Sequence, residues 1–173
     1  LKLSTIHLRC LEIPEVLAKI SEIAGVDLVP AVDVGIGNVA SVTVQNWRYE
    51  DDNKTSAVAW HYSGYPFVVV TMLSNCWDMV GGETTLRLPD GTIKKARGPA
   101  MGTAVVMEGR YIEHQALKAL GGRERISMVA SLRAQPPFMK DETVLAGVRT
   151  TSNLSYLCHQ FSEYRLEILE ERI

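Results

Sequence analysis

Cysteine is scarce in this chain, and the few residues present form no recognisable framework. The sequence of 173 residues contains three, Cys10, Cys76 and Cys158. Their number is odd, they lie far apart, and no two of them form a CxxC pair. This arrangement argues against a disulfide framework and against a zinc knuckle. We therefore expect a protein of a reducing compartment, the cytoplasm.

Long hydrophobic runs and a surplus of charge of one sign are absent as well. The longest uninterrupted apolar stretch near the middle, Tyr65 to Val70, is far shorter than the ~20 residues of a membrane helix and suits a buried strand. The net charge is −2, with 22% charged residues, whereas nucleic acids and anionic membranes favour basic stripes. We therefore expect neither a membrane nor a nucleic-acid partner.

The chain also starts without an initiator methionine. Leu1 is followed by no basic n-region and no signal-peptide pattern. We expect residues 1–173 to form a single domain that is long enough to bury a core and that lacks part of an N-terminal region.

What is present is a series of short strands separated by turn signals. From Ala57 to Arg133, turn residues such as Gly81-Gly82 and Pro89-Asp90-Gly91 separate apolar or alternating segments. Many short strands at this spacing predict a mainly β fold, either a β-sandwich or a jelly roll. The predicted strands are Val58–Tyr62, Pro66–Leu73, Thr84–Leu88, Thr92–Ala96, Ala104–Met107 and Arg125–Leu132, preceded by an alternating segment from Val39 to Trp47.

Helices are predicted at both ends of this β core, which we place at about residues 39–133. The first spans residues 13–24, with Pro14 in its first turn and Gly25 just past its end. The second spans residues 153–172 and has apolar residues at helical spacing. The C-terminal helix is expected either to pack on the β core or to form a homodimer interface.

Two of the four histidines lie in the predicted β region. His61 falls in a predicted strand, and His114 follows the strand and turn around Arg110 to Ile112. The two imidazoles can meet inside a jelly roll because its first and last strands pair. Two imidazoles and a carboxylate form the facial triad that suits Fe(II). A histidine in a strand is more often structural, so spacing alone leaves both interpretations open.

An arginine and a serine two positions apart follow His114. Arg125 and Ser127 share one face of a strand, because residues i and i+2 point to the same side. A guanidinium and a hydroxyl can therefore converge on one carboxylate of a ligand, with a bidentate contact from the arginine. The alternative is a surface charge beside an ordinary strand hydroxyl.

The order of these motifs resembles a known superfamily. His61, then Gly81-Gly82-Glu83-Thr84, then His114, then Arg125-x-Ser127 is similar to the Fe(II)/2-oxoglutarate-dependent dioxygenases, and the Gly-Gly-Glu-Thr step to their prolyl-hydroxylase-like members. The resemblance covers Ala57 to Arg133. Longer runs resemble a fungal branch of the superfamily: Trp60-His61-Tyr62, Tyr65-Pro66-Phe67-Val68, Met79 to Thr84, Arg97-Gly98-Pro99 and Gly109 to Gln115.

The resemblance implies a double-stranded β-helix (jelly roll, cupin-like) with flanking α-helices. It implies a non-haem iron oxygenase that uses Fe(II), 2-oxoglutarate and O₂ and oxidises a small molecule. His61 and His114 would be the iron ligands. Arg125 would bind the distal carboxylate of 2-oxoglutarate, and Ser127 would support it.

Other residues receive roles by the same resemblance. Thr84 is a further candidate for the 2-oxoglutarate pocket. Gln45 or Asn46 would hydrogen-bond the iron-chelating end of the co-substrate, or would equally be sheet-edge amides. Aromatic side chains on or next to the His61 strand are expected either to line the substrate side or to belong to the core: Trp60, Tyr62 and Tyr65.

One position departs from the superfamily pattern. The expected His-x-Asp is replaced by His61-Tyr62-Ser63, so Ser63 stands at the catalytic carboxylate position. A neutral hydroxyl supplies no negative charge to the metal and is a poorer ligand than a carboxylate. We expect iron affinity to fall and one coordination position to open.

Several outcomes of this departure stay open. The oxygenase would be impaired, or the vacated position would accept an anion, as in halogenase-like enzymes of the superfamily, or a nearby acid (Glu83, Glu113 or Asp78) would replace the aspartate. The alternative functions are a catalytically inactive 2-oxoglutarate-binding jelly-roll module and a metal-free or zinc-binding cupin-like protein. The last is least expected, because cupins usually carry more histidines than the two found here.

Overall fold

The computed structural model describes residues 13–32, 38–42, 56–77, 79–96, 100–120, 125–150 and 152–173. Within these ranges the chain forms two α-helices, α1 (Pro14–Ala24) and α2 (Leu154–Arg172), and a short 3₁₀ helix, Leu145–Gly147. The strands are β1 (Leu28–Pro30), β2 (Asn38–Val42), β3 (Ser56–His61), β4 (Phe67–Met72), β5 (Val80–Gly81), β6 (Thr84–Arg87), β7 (Ile93–Ala96), β8 (Ala104–Met107), β9 (Glu113–Leu117), β10 (Ala119–Leu120) and β11 (Arg125–Ala134).

Two antiparallel sheets form the layers of the fold. A five-stranded sheet has the order β1-β11-β4-β8, with β2 paired to the other end of β11 from β1. A four-stranded sheet has the order β3-β9-β6-β7, and β5 and β10 form a small ladder of their own. The predicted mainly β, jelly-roll-like fold with helices at both ends is confirmed.

Helix α1 covers the outer face of the five-stranded sheet. It begins at Pro14 and ends at Gly25, whose φ of 74° is the left-handed conformation that glycine adopts readily. Ile20 of α1 packs on Phe67 and Leu132 of the sheet. Because side chains alternate along a strand, the residues between these apolar ones point to the opposite face, towards the space between the sheets.

The pairing of β3 with β9 is irregular at two points, between Ser56 and Val58 and between Val58 and His61. Val58 lies opposite Ala116, but His61 lies opposite His114, so β3 uses three steps where β9 uses two. An insertion of this kind is a β-bulge, and it changes the face on which the following side chains lie. His61 therefore shares a face with His114, while Trp60 lies on the outer face with Arg87, whose guanidinium carbon is 4.4 Å from the Trp60 ring centre.

Two details of the predicted secondary structure were wrong. Residues 110–112 do not form a strand, because the amides of Tyr111 and Ile112 donate to the carbonyl of Glu108 and close a turn. His114 instead belongs to β9, whose first residues are polar and carry no apolar alternation. The short strands β1, β5 and β10 were also not predicted. Of the alternating segment that begins at residue 39, β2 accounts for the first part, and residues 43–50 lie outside the described ranges.

The C-terminal helix packs on the β core. Leu157 and Tyr164 of α2 form a cluster with Ala31, Val32 and Tyr65. Tyr65 therefore belongs to the core beneath this helix and does not line a substrate site. Burial in this cluster raises the pKa of the Tyr65 hydroxyl to about 12. Neither α1 nor α2 combines the length and apolar character of a transmembrane span.

Asp141 fastens the segment after β11 to α2, and its replacement by asparagine tests that contact. Its Oδ2 accepts from the Tyr164 hydroxyl at 2.7 Å and from Arg165 at 3.2 Å. Burial raises the pKa of Asp141, but hydrogen bonds from Thr143, Tyr164 and Arg165 outweigh burial and hold the pKa below its usual value. The stabilisation is therefore present above the unfolded pKa of about 3.9 and is lost as the pH falls through the folded pKa.

We expect Asp141→Asn to lower the free energy of unfolding by about 1–3 kcal/mol at pH 7. The acid-induced loss of stability should also become shallower, since the titrating carboxylate is gone. Urea unfolding at neutral and acidic pH measures both effects. Glu163→Gln, at an exposed position of α2, is the control and should change little. Equal acid sensitivity of Asp141→Asn and the parent protein would contradict the assignment.

Candidate active site

Two imidazoles meet on the inner face of the four-stranded sheet. His61 and His114 are register partners across β3 and β9, and their ring centres lie 4.3 Å apart. His114 is buried, with 7% of its surface exposed, whereas His61 is exposed. The pair has one solvent-facing side and one buried side, so a small ligand can approach from the His61 side.

Hydrogen bonding assigns the same tautomer to both rings. Nδ1 of His61 lies 2.8 Å from the carbonyl of Ala59, and Nδ1 of His114 lies 2.8 Å from the carbonyl of Ile112. A carbonyl oxygen only accepts, so each Nδ1 carries the hydrogen and donates it. Each Nε2 therefore keeps its lone pair, which is the arrangement of metal-binding histidines whose other ring nitrogen donates to a backbone carbonyl.

The surroundings of His114 favour its neutral form. Burial lowers the pKa of its imidazole, the hydrogen bond to Ile112 partly offsets this, and the neighbouring His61 lowers it further. The neutral imidazole is the form that binds metal ions.

Ser63 stands beside the pair, in the loop after β3. Its hydroxyl oxygen is 3.3 Å from Nε2 of His114 and is placed to donate to that nitrogen. Ser63, which the resemblance predicts at the carboxylate position, thus lies beside His114, and its side chain is neutral. Among the described residues, the donors that these three side chains bring together are two imidazoles and one hydroxyl.

Backbone contacts fix the loop that carries Ser63. The Ser63 amide donates to the carbonyl of Gly109 at 2.7 Å, and a Cβ on Gly109 would lie 2.9 Å from the Ser63 Cβ. The Val144 amide donates to the carbonyl of Gly64 at 2.7 Å, and a Cβ on Gly64 would lie 2.5 Å from the Val144 carbonyl oxygen. Sequence reasoning did not assign roles to Gly109, Gly64 or Val144, because only the folded chain shows these close approaches.

A buried cation lies across the space between the sheets. Arg125, at the start of β11 in the five-stranded sheet, is 2% exposed. Its Nε donates to the carbonyl of Gly82, just before β6 of the other sheet, at 2.7 Å, and its Nη1 donates to the Ser127 hydroxyl at 2.8 Å. The predicted pairing of Arg125 with Ser127 on one strand face therefore has a direct hydrogen bond.

Among the described residues, Arg125 has a carboxylate nearby, Glu83, but no ion pair. Burial lowers its pKa, while Cys76 and Glu83 nearby raise it. In the described part of the chain, no carboxylate forms an ion pair with its guanidinium. A buried charge is costly unless it is paired, so an anionic ligand is the partner that this environment favours.

Thr84 lies between the two parts of the site. On β6 it is opposite Ala116, and Leu86 is opposite His114, so Thr84 shares the inner face with His114. It is 6% exposed and two residues after Gly82, the residue that holds Arg125. The predicted candidates Gln45 and Asn46 lie outside the described residues.

No additional acid completes a metal site in the described ranges. Among those residues, no group of three or more His, Cys, Asp or Glu side chains is close enough to hold an ion. Glu113 lies on the outer face, where its carboxylate pairs with Arg87, and Asp78 lies outside the described ranges. Of the aromatic candidates, Trp60 stacks with Arg87 on that outer face, and Tyr62 is exposed next to His61.

The fold is similar to that of a known protein. An oxidoreductase of the 2OG-Fe(II) oxygenase family from Burkholderia pseudomallei aligns with a TM-score of 0.53 and 17% identity, over 73% of this chain and 55% of that one. The chain has the fold of a 2OG-Fe(II) oxygenase. It spans little more than half the length of that structure. At this identity the similarity establishes the fold, and the activity has to be argued from the residues of the site.

Two further solved structures align with lower TM-scores. A prolyl-4-hydroxylase from Pseudomonas putida aligns with a TM-score of 0.38 and 21% identity, over 70% of this chain and 60% of that one. IDO from Bacillus thuringiensis aligns with a TM-score of 0.41 and 13% identity, over 70% of this chain and 61% of that one. No protein-family model and no curated protein matches the sequence.

Proposed function

We propose that this chain is the core of a non-haem iron, 2-oxoglutarate-dependent oxygenase that oxidises a small molecule, by C–H hydroxylation or a related oxidation. The observation that carries the proposal is the buried Arg125, hydrogen-bonded to Ser127 and without a described carboxylate partner. By strand alternation its side chain faces the inner side of the five-stranded sheet, and His61 and His114 are paired on the inner face of the four-stranded sheet. The cation that would bind one end of a dicarboxylate is thus on one sheet. The two imidazoles that would bind a metal are on the other.

Each residue of the site has a defined part in this proposal. His61 and His114 would hold Fe(II) through their Nε2 atoms, which their tautomers leave unprotonated. Arg125 would bind the distal carboxylate of 2-oxoglutarate, with Ser127 fixing the orientation of its guanidinium. Bound iron and 2-oxoglutarate would supply the oxidising power with O₂. The chain itself would supply orientation and, around the buried Arg125 and Thr84, exclusion of water.

Ser63 favours a second candidate function. Its neutral hydroxyl faces His114 where the superfamily pattern has a carboxylate, so the metal would be held less tightly. The protein would then be a jelly-roll module that binds 2-oxoglutarate without turning it over. A variant of the first function is a halogenase-like enzyme, in which an anion such as chloride occupies the vacated position. The Ser63 hydroxyl would then have to accommodate that anion.

The free cysteines support a reducing location for either function. Cys76 and Cys158, the two cysteines in the described part of the chain, are both unbonded thiols. We therefore propose a cytoplasmic location. As partners of the oxygenase we propose O₂ and a small-molecule substrate.

An anaerobic titration with Fe(II) and 2-oxoglutarate tests the proposal. We expect a metal-to-ligand charge-transfer band in the parent protein and none in His114→Ala, which removes one of the two imidazoles. His159→Ala, at an exposed position of α2, is the matched control and should keep the band. A band that shifts with added chloride would favour the halogenase-like variant. Absence of the band at saturating metal and 2-oxoglutarate would reject the oxygenase.

A further inference from the structure

Gly82 contacts Arg125 in two ways. Its carbonyl accepts the Nε–H of Arg125 at 2.7 Å. Its missing side chain also leaves the path of the arginine open, because a Cβ on Gly82 would lie 3.1 Å from the Arg125 Cδ and 3.0 Å from the Met79 Sδ. The same residue therefore fixes one nitrogen of the guanidinium and makes room for the stem that carries it.

Arg125 has little freedom to yield to a larger neighbour. It is 2% exposed, and it is held at Nε by Gly82 and at Nη1 by Ser127. A Cβ at position 82 would push Cδ away by a few tenths of an ångström. The hydrogen bonds to Gly82 and Ser127 are made by nitrogens beyond Cδ. A displacement of Cδ would therefore rotate the plane of the guanidinium as well as shift its position.

The two contacts also determine which donors remain for a ligand. A guanidinium has five N–H groups in a fixed planar fork. The hydrogen bonds to Gly82 and Ser127 use two of them and set the plane of the fork. The other three are thereby directed, and bidentate recognition of a carboxylate depends on that direction.

We infer that Gly82 is a positioning residue for recognition of the ligand's distal carboxylate: it sets the plane of the Arg125 guanidinium. The inference rests on the proposed function, since it takes Arg125 as the group that binds this carboxylate. It also extends that function. Part of the preference for dicarboxylic over monocarboxylic 2-oxo acids is assigned to Gly82, which has no side chain to contact the ligand.

Backbone strain has to be separated from this effect. Gly82 has a φ of +75°, so any other residue there is strained whatever its contacts. Gly91, in the turn between β6 and β7, has a φ of +82° and nothing within 4 Å of an added Cβ. Gly91→Ala therefore reproduces the strain without the contact to Arg125, and it serves as the matched control for Gly82→Ala.

The experiment compares the affinities for 2-oxoglutarate and pyruvate by anaerobic calorimetry, with the protein saturated with Fe(II). Both ligands have a 2-oxo acid end, and only 2-oxoglutarate has a distal carboxylate. We expect the parent protein and Gly91→Ala to prefer 2-oxoglutarate. In Gly82→Ala this preference should fall by about tenfold or more, with the affinity for pyruvate unchanged. A general structural defect would weaken both ligands alike.

Arg125→Lys provides a second test that leaves the backbone unaltered. Lysine keeps the charge but has no Nε–H for the Gly82 carbonyl and no planar fork. We expect it to lose most of the preference for 2-oxoglutarate, and a retained preference would overturn the role of the oriented fork even if Gly82→Ala does not fold. Full preference in Gly82→Ala or in Arg125→Lys would overturn the role of Gly82 and leave the proposed function standing. No preference in the parent protein would overturn both.

Discussion

Ser63→Asp is expected to tighten Fe(II) binding and to raise the rate of 2-oxoglutarate-dependent succinate formation. The Ser63 hydroxyl already faces Nε2 of His114, and its amide is held by the carbonyl of Gly109. An aspartate built on this backbone would place a carboxylate oxygen beside the two imidazoles and complete a facial triad. We expect the metal affinity to rise by roughly 10–100-fold or more, since even outer-shell partners of metal ligands contribute that factor.

The control separates charge from size. Ser63→Asn adds the same number of heavy atoms without the negative charge, so it should raise the metal affinity much less than Ser63→Asp. Calorimetric or fluorimetric titration with Fe(II) under nitrogen gives the affinities, and succinate release gives the turnover. If asparagine and aspartate behaved alike, the departure at position 63 would not be the cause of weak metal binding. If aspartate tightened the metal but produced no succinate, the non-catalytic 2-oxoglutarate-binding module would be favoured.

Arg125→Gln is expected to weaken 2-oxoglutarate binding by about 100-fold or more. Charge-assisted hydrogen bonds contribute about 1.5–3 kcal/mol each, and a bidentate contact with a carboxylate contains two of them. The affinity for Fe(II) in the absence of 2-oxoglutarate should stay the same, because the two histidines belong to the other sheet. Separate titrations with the metal and with the co-substrate measure the two affinities.

The matched control for this substitution lies on the same strand. Arg133 is at the far end of β11, where its guanidinium carbon is 4.6 Å from the ring centre of Tyr164. Arg133→Gln also removes a cation from β11, but we expect it to leave 2-oxoglutarate binding unchanged. Equal losses in Arg125→Gln and Arg133→Gln would mean that general destabilisation, and not recognition at Arg125, weakens the ligand.

Much of the fold follows from local signals in the sequence. Pro14 and Gly25 bound α1, and the Pro89-Asp90-Gly91 turn joins β6 to β7, because these residues favour particular backbone conformations wherever they occur. The strand β9 could not be predicted in this way. Its polar residues form a strand because they pair with β3 and β6 on either side, and such pairing depends on segments far away in the sequence.

The site was predictable as a set of residue types and less so as a geometry. The i, i+2 rule anticipated that Arg125 and Ser127 share a strand face, and the structure shows their hydrogen bond. The i, i+2 rule could not anticipate that Gly82 holds the other side of the guanidinium, since that contact joins two sheets. The shared tautomer of the histidines likewise depends on carbonyl positions that exist only in the folded loop and strand.

The extra residue between Val58 and His61 of β3 links metal binding to the register of a strand. In a regular ladder continuing from the pairing of Val58 with Ala116, Trp60 and not His61 would lie opposite His114. An indole has no lone-pair nitrogen to offer a metal, so the same sequence has one register that can bind an ion through both histidines and one that cannot. An ion that binds the chain only when His61 lies opposite His114 stabilises that register by mass action. The bulge and the bound metal would therefore reinforce each other thermodynamically.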